Sequence, residues 1–248
     1  MSELVYGWHA VLSVLRRAPE TVVELWLSEA RSGARAQELR QAAETAGVAV
    51  QRANRSSLDA MVGAEDHQGV VARVRAVAGT GQPQDLPGLL ARLTVPPFLL
   101  VLDGVQDPHN LGACLRTADA VGAHAVIVPR DRAAPVTPVV RKVASGAAET
   151  VPVFAVTNLV RTLEQLKEAG VWLVGTAGEA SKTLYEVDLK GPLALVLGSE
   201  GEGLRRLTRE TCDFLVQIPM AGVVTSLNVS VAAGVCLYEA CRQRGAPA

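Results

Sequence analysis

Residues 97–129, PFLLVLDGVQDPHNLGACLRTADAVGAHAVIVP, read as a strand, a polar loop, a helix and a second strand. The flanking runs FLLVL and AVIV are apolar without alternation, the pattern of strands covered on both faces. Between them Leu111, Cys114, Leu115, Ala118 and Val121 recur at helical spacing. Two buried strands joined through a helix are the repeating unit of a parallel sheet. The rhythm continues downstream, with strand-like TVPVFAV, VWLVGTA, LALVLGSE and FLVQIPM set among helical TPVVRKVASGAA, NLVRTLEQLKEAG, GLRRLTRETC and SLNVSVAAGVCLYEACRQR. These runs predict an α/β fold with a mostly parallel sheet covered by helices. In such sheets ligands bind beyond the carboxyl ends of the strands.

Upstream, residues 79–88, GTGQPQDLPG, concentrate glycine, proline and glutamine and read as a linker. Residues 1–78 before it alternate helix 9–16, strand 22–27, helix 34–46 and strands 48–51 and 69–74, which predicts a small α/β domain. Residues 89–248 form the larger domain in this reading.

Composition narrows the function classes. Hydrophobic residues at 49% and charged residues at 20% exclude wholesale disorder. The 24 basic and 25 acidic residues leave no global charge for nucleic acid, so any RNA contact has to come from local patches. Arginine dominates the basic set, 20 against four lysines, and its planar fork suits phosphate. Cys114, Cys212, Cys236 and Cys241 form no C-x-x-C pair, and the four histidines are scattered, so no metal site is expected. The cysteines read as reduced core residues of a cytoplasmic protein. No signal-peptide pattern opens the chain and no run of about 18 apolar residues crosses a membrane.

Three strand ends carry polar or glycine-rich tails. In the first, Asn110 reads as a helix N-cap, and Asn110, Ala113 and Arg116 lie three apart as one polar stripe. The second, LALVLGSEGEGLRRL at 193–207, runs from a buried strand into glycines 198, 201 and 203. Such glycines allow close backbone approach to a ligand, but Glu200 and Glu202 would repel phosphate and favour a cationic or hydroxyl-bearing one. It is neither a P-loop nor the dinucleotide fingerprint. The third, IPMAGVVTSLNVSVAAGVCLYEA at 218–240, offers Thr225 or Ser226 as an N-cap, which leaves Asn228 and Ser230 unexplained by capping.

Together these segments resemble the motifs of the SpoU (TrmH-type) class of the SPOUT methyltransferases: N-x-x-x-x-x-R from Asn110, L-G-x-E-x-x-G-L from Leu197, and I-P-M-x-G-x-x-x-S-L-N-V-S-V-A from Ile218. YGWHAVLSVL, HQGVVARV, DRAAP, VGTAGEA and EGEGLRRLTRE extend the likeness over nearly the whole chain, toward members that methylate a guanosine of 23S rRNA. The resemblance implies a C-terminal SPOUT α/β domain with a deep trefoil knot, an L30e-like N-terminal domain that helps hold RNA, a homodimer, and S-adenosylmethionine as methyl donor. It implies 2′-O-methylation of a guanosine ribose in the peptidyl-transferase region, with no metal.

Carried over residue by residue, the resemblance makes Arg116, Asn110, Glu200, Ser226 and Asn228 catalytic. Gly198, Ile218 and Leu227, with Gly201 and Met220, become cofactor contacts. Arg116 would favour loss of the hydroxyl proton, more readily as a cation beside developing alkoxide than as a base, because a guanidinium rarely gives up its own proton. Arg16, Arg17, Arg52 and Arg55 are expected RNA contacts; His67 is a further candidate, with a satisfied histidine in a turn as the more ordinary reading. The rival readings are a 2′-O-methyltransferase for tRNA or another rRNA nucleotide and, in a different class, a non-catalytic RNA-binding protein with the same fold.

Overall fold

The computed structural model describes residues 2–63, 67–75 and 85–245, and residues 79–84 of the expected linker lie outside them. The chain divides into two compact units, Met1–Gln82 with Val136–Thr150, and Pro83–Pro135 with Val151–Ala248. Residues 136–150, which the sequence reading includes in the larger domain of 89–248, group with the first compact unit. The helix of that segment, α6 (Pro138–Ala144), lies in the first unit, where the Ser13 hydroxyl donates to the Gly146 carbonyl at 3.4 Å.

In the first unit, β1 (Ser2–Tyr6), β2 (Val22–Ser28), β3 (Val50–Ala53) and β4 (Val70–Arg75) form a sheet in the order β1-β4-β2-β3. Only the β2–β3 pair is parallel. Helices α1 (Trp8–Arg17) and α2 (Ala34–Thr45) bury Val11, Leu15 and Leu39 against one face, over Leu25, Leu27 and Ala72. On the other face lies α3 (Arg55–Val62), with Leu58 packed among Tyr6, Trp26 and Val71. The unit keeps the expected α/β alternation, and α3 and β1 are additions that the sequence reading did not anticipate.

The second unit opens with α4 (Leu86–Arg92), capped by Asp85, whose carboxylate accepts the Gly88 amide at 2.7 Å. The linker expected to reach residue 88 is therefore already helical from 86, because Asp-Leu-Pro supplies an N-cap and a proline in the first turn, where its missing N–H costs nothing. Seven strands follow: β5 (Phe98–Asp103), β6 (Ala125–Pro129), β7 (Val153–Val156), β8 (Trp172–Thr176), β9 (Lys182–Thr183), β10 (Leu193–Gly198) and β11 (Phe214–Gln217). They lie in the order β7-β6-β5-β10-β8-β11-β9, and every pairing is parallel. Strand β5 is buried along its whole length, as its unbroken apolar run required.

After α4, the helices of this unit are α5 (Pro108–Ala120), α7 (Leu159–Glu168), α8 (Arg206–Thr211) and α9 (Val229–Gln243). From β5 the chain winds outward through β6 to β7, and the later strands build on the opposite side through β10. The winding therefore reverses between β5 and β10, whose last residues, Asp103 and Gly198, sit side by side in register. Such a reversal opens a crevice at the carboxyl ends of the two strands. The first two strand-end motifs both start there.

Candidate functional site

Asp107, not Asn110, caps α5: its carboxylate accepts the His109 amide at 2.9 Å, and Pro108 starts the helix with a preset φ. The capping role expected of Asn110 is thereby corrected. One turn inside, Asn110 is only 8% exposed, and its side chain is free to serve the crevice. Its Nδ2 donates to Glu200 Oε1 at 3.0 Å, and its Oδ1 accepts from Asn228 Nδ2 at 3.0 Å. Asn228 Nδ2 also donates to Glu200 Oε1, and the Val229 amide reaches the same oxygen at 3.3 Å. One carboxylate oxygen thus gathers three donors from two elements, a charge-assisted knot of bonds among three distant motif residues.

Asn228 has a second duty. Its Oδ1 accepts the Ser230 and Val231 amides and the Ser230 hydroxyl, so it is the N-cap of α9 that had been assigned to Thr225 or Ser226. With the amide nitrogen turned to Glu200 and the oxygen to the helix, a single side chain fixes the helix to the crevice.

The glycine loop is built by close backbone approach. A Cβ on Gly198 would stand 2.0 Å from the Gly203 carbonyl carbon and 2.2 Å from the Leu204 nitrogen. The sequence reading gave this glycine to ligand approach; it is required first by the loop's own return, which Gly203 N closes on Ser199 O at 3.0 Å. Gly201 and Gly203 take φ of 84° and 67°, the left-handed region that glycine enters freely. The loop is then tied down by Asp103, whose buried carboxylate accepts the Arg205 amide at 3.1 Å and Arg205 Nε at 2.6 Å.

Two cavities flank this cluster, both within the second unit. The first, about 430 Å³, takes Gly198, Gly201, Ile218, Met220 and Leu227 into its wall, together with Ser226. All five residues expected to touch the cofactor therefore share one cavity. The sequence reading missed Thr176, Ala177 and Gly178, which line it from the end of β8, and Gln217 from β11. The signal was present in VWLVGTAGEA, an apolar strand ending in glycine and threonine like the other two. The second cavity, about 340 Å³, lies on the other side of Ser199 and Glu200, with Asn110 and Arg132 in its wall.

Arg116 does not join them. It is exposed on α5, lines neither cavity and makes no ion pair among the described residues. Six residues at about 100° each leave it roughly 120° around the helix from Asn110, so the polar stripe expected across these two positions is not one face.

The expected RNA contacts divide. Arg52 is exposed, Arg16 pairs with Glu38 at 2.7 Å, and Arg55 lies 3.9 Å from Asp59. The Arg17 side chain lies outside the described residues. His67 is corrected: it is 2% exposed, with Nε2 on Asp59 at 2.9 Å and Nδ1 accepting the Gly69 amide at 2.9 Å, so no ring nitrogen is left for RNA. Among the described residues no group of histidine, cysteine and carboxylate side chains could hold a metal, and no helix is long and apolar enough to cross a membrane.

A parallel sheet with a small-molecule-sized cavity at the carboxyl ends of its strands, walled by a glycine loop, is the architecture of an α/β ligand-binding enzyme site. Residues 97–238 match the SpoU rRNA methylase family, and residues 4–79 match the RNA 2′-O ribose methyltransferase substrate-binding domain; the chain belongs to the SpoU methylase family. Its relatives include the protein of Yersinia pestis named 23S rRNA (guanosine-2′-O-)-methyltransferase RlmB, 59% identical over 99% of both chains. The RlmB of Escherichia coli K12 is 57% identical over 98% of this chain and 100% of its own. Among solved structures, the SpoU methyltransferase AviRb of Streptomyces viridochromogenes, in complex with the cofactor AdoMet, superimposes with a TM-score of 0.80 at 27% identity, covering 98% of this chain and 90% of that one.

Proposed function

We propose that the protein transfers the methyl group of S-adenosylmethionine to the ribose 2′-oxygen of a guanosine in 23S rRNA, working as a homodimer in the bacterial cytoplasm. Residues 1–78 serve as the RNA-holding domain and 89–248 as the catalytic one. The chain ends of the third motif are drawn through the family's trefoil knot. The observation that carries the reading is the Asn110–Glu200–Asn228 cluster, standing between a cavity lined by the five cofactor residues and a second open cavity.

The first cavity fits the cofactor. Its volume lies in the range of small-molecule sites, and its wall mixes the apolar Leu197, Ile218 and Leu227 with backbone groups freed by glycine. When bound there, S-adenosylmethionine supplies an electrophilic methyl carbon, so no metal is needed to activate it. This chain's residues then have two tasks, alignment and charge. Asn110 and Asn228, locked to Glu200, hold the ribose edge beside the cofactor cavity, and alignment of this kind contributes several kcal/mol, roughly 7–11 at most. Ser226 stands in the loop wall where a second hydroxyl contact is available. Arg116 provides the cation beside the 2′-oxygen as its proton passes to solvent water. Because Arg116 lines neither cavity of its own chain, it performs this role in the site of the partner subunit.

Calorimetric titration with S-adenosylmethionine, followed by transfer of labelled methyl to 23S rRNA, tests the proposal. Cofactor binding with methyl transfer is expected. RNA binding without cofactor binding would leave only the fold and an RNA-binding role.

A further inference from the structure

The second cavity holds polar groups that the methyl-transfer chemistry leaves unused. Arg205 in its wall is spent on Asp103, Asp107 on capping α5, and Asn110 and Glu200 on each other. Of the charged groups in the wall, Arg132 and Glu202 remain: both are exposed, both line the cavity, and neither makes an ion pair among the described residues. Arg132 takes φ of 63°, unusual for a residue with a side chain, in a loop held by the Ala134 amide on the Val105 carbonyl at 2.9 Å. Residues kept in sparsely populated backbone regions cluster where a side chain must be aimed. Its carbonyl lies 4.0 Å from where a Cβ of Gly104 would be, so the arginine loop is seated directly on the end of β5.

An unpaired guanidinium and an unpaired carboxylate in one cavity match one base. Guanine carries two acceptors, O6 and N7, and two donors, N1–H and the N2 amino group. Arginine pairs well with the first set. A carboxylate accepts from the second, whereas adenine would turn a lone pair at N1 toward it. Enzymes that act on a nucleotide taken out of its stack read the base through such edge contacts.

Resting on the proposed ribose methylation, we propose that this cavity is the guanine pocket: Arg132 donates to O6 and N7, and Glu202 accepts from N1–H and the N2 amino group. The cavity shares Ser199, Glu200 and Glu202 with the cofactor cavity, so a base seated in it brings its own ribose to the shared wall, beside Asn110. The two arginine–carboxylate partners thus select the base, and the neighbouring cluster positions the sugar.

The test pairs each residue with the base atom it reads. The methylated position is mapped in 23S rRNA, and that position is then rebuilt by ligation as guanosine, inosine (no N2 amino group) or 7-deazaguanosine (no N7). Wild type should lose roughly tenfold to a hundredfold in kcat/KM on inosine, and several-fold on 7-deazaguanosine. Glu202→Gln should be slow on guanosine and nearly indifferent to inosine substitution, while still discriminating against 7-deazaguanosine. Arg132→Asn, which tolerates the left-handed backbone, should show the opposite pattern. Calorimetry with S-adenosylmethionine verifies that each variant keeps a formed cofactor cavity. Equal wild-type rates on all three RNAs, or analogue penalties unchanged in the variants, would overturn the pocket while leaving the methylation intact. Absence of any methylated guanosine in 23S rRNA would instead overturn the reaction on which it rests.

Discussion

Asn228 does two jobs with the two atoms of one amide, and they can be separated. Asn228→Ala removes the cap of α9 and should lower stability by about 1 kcal/mol, read from the urea midpoint at constant m. Asn228→Ser can still accept the Ser230 and Val231 amides, so it should recover most of that stability while methyl transfer stays low, because no Nδ2 remains for Glu200 and Asn110. Equal activity in the serine variant and wild type would make Asn228 a cap and nothing more. Gly198 is a sharper case. A methyl group there meets backbone atoms of residues 203 and 204 rather than a movable side chain. Gly198→Ala should cost about 1–3 kcal/mol and weaken S-adenosylmethionine binding by calorimetry, since the loop that walls the cavity has to move.

At the scale of elements, the crevice depends on how the ends of β5 and β10 are joined. Asp103 has no exposed side-chain surface, and Arg205, with 40%, closes the loop after β10 onto it. Asp103→Ala leaves a guanidinium that can partly rehydrate, so the expected loss is about 2 kcal/mol, below the roughly 3–5 kcal/mol of a fully buried broken pair. Circular dichroism with urea titration measures it; an unchanged midpoint would show that the clamp is dispensable. The same burial governs the cysteines. Desolvation pushes the thiols of Cys114, Cys212 and Cys236 up to about 12, so at pH 8 the folded protein keeps all three protonated. Iodoacetamide at that pH should spare these three and label them only after denaturation, which peptide mass spectrometry reads directly.

The strands of the second unit were legible because burial on both faces demands unbroken apolar runs, and β5, β6 and β10 supply them. The two-residue β9 carries no such run, and α4 was hidden by the proline that begins it. Caps were the weak point. Asp107 and Asn110 are both competent cap residues three positions apart, and only the packing of Asn110 against Glu200 decides between them. His67 could not be placed from sequence, since its satisfaction depends on Asp59, a residue of α3.

For the whole molecule, the position of Arg116 is the decisive feature. It is exposed on α5 and absent from both cavities of its own chain, as the proposed dimer with shared sites requires. Co-expressed Arg116→Ala and Glu200→Gln chains, each inactive alone, should recover about a quarter of wild-type activity, because half the dimers then contain one intact site. No recovery would place Arg116 in its own chain's site. The central claim, ribose methylation of one guanosine, is tested most directly by alkaline hydrolysis of 23S rRNA treated with the enzyme and labelled S-adenosylmethionine, with tRNA and Arg116→Ala in parallel. A 2′-O-methyl group removes the nucleophile for cleavage at its own linkage. The account predicts label in 23S rRNA at a single alkali-resistant guanosine, none in tRNA, and loss of the signal in the Arg116 variant. Label in tRNA, or in rRNA that remains fully alkali-sensitive, would contradict it.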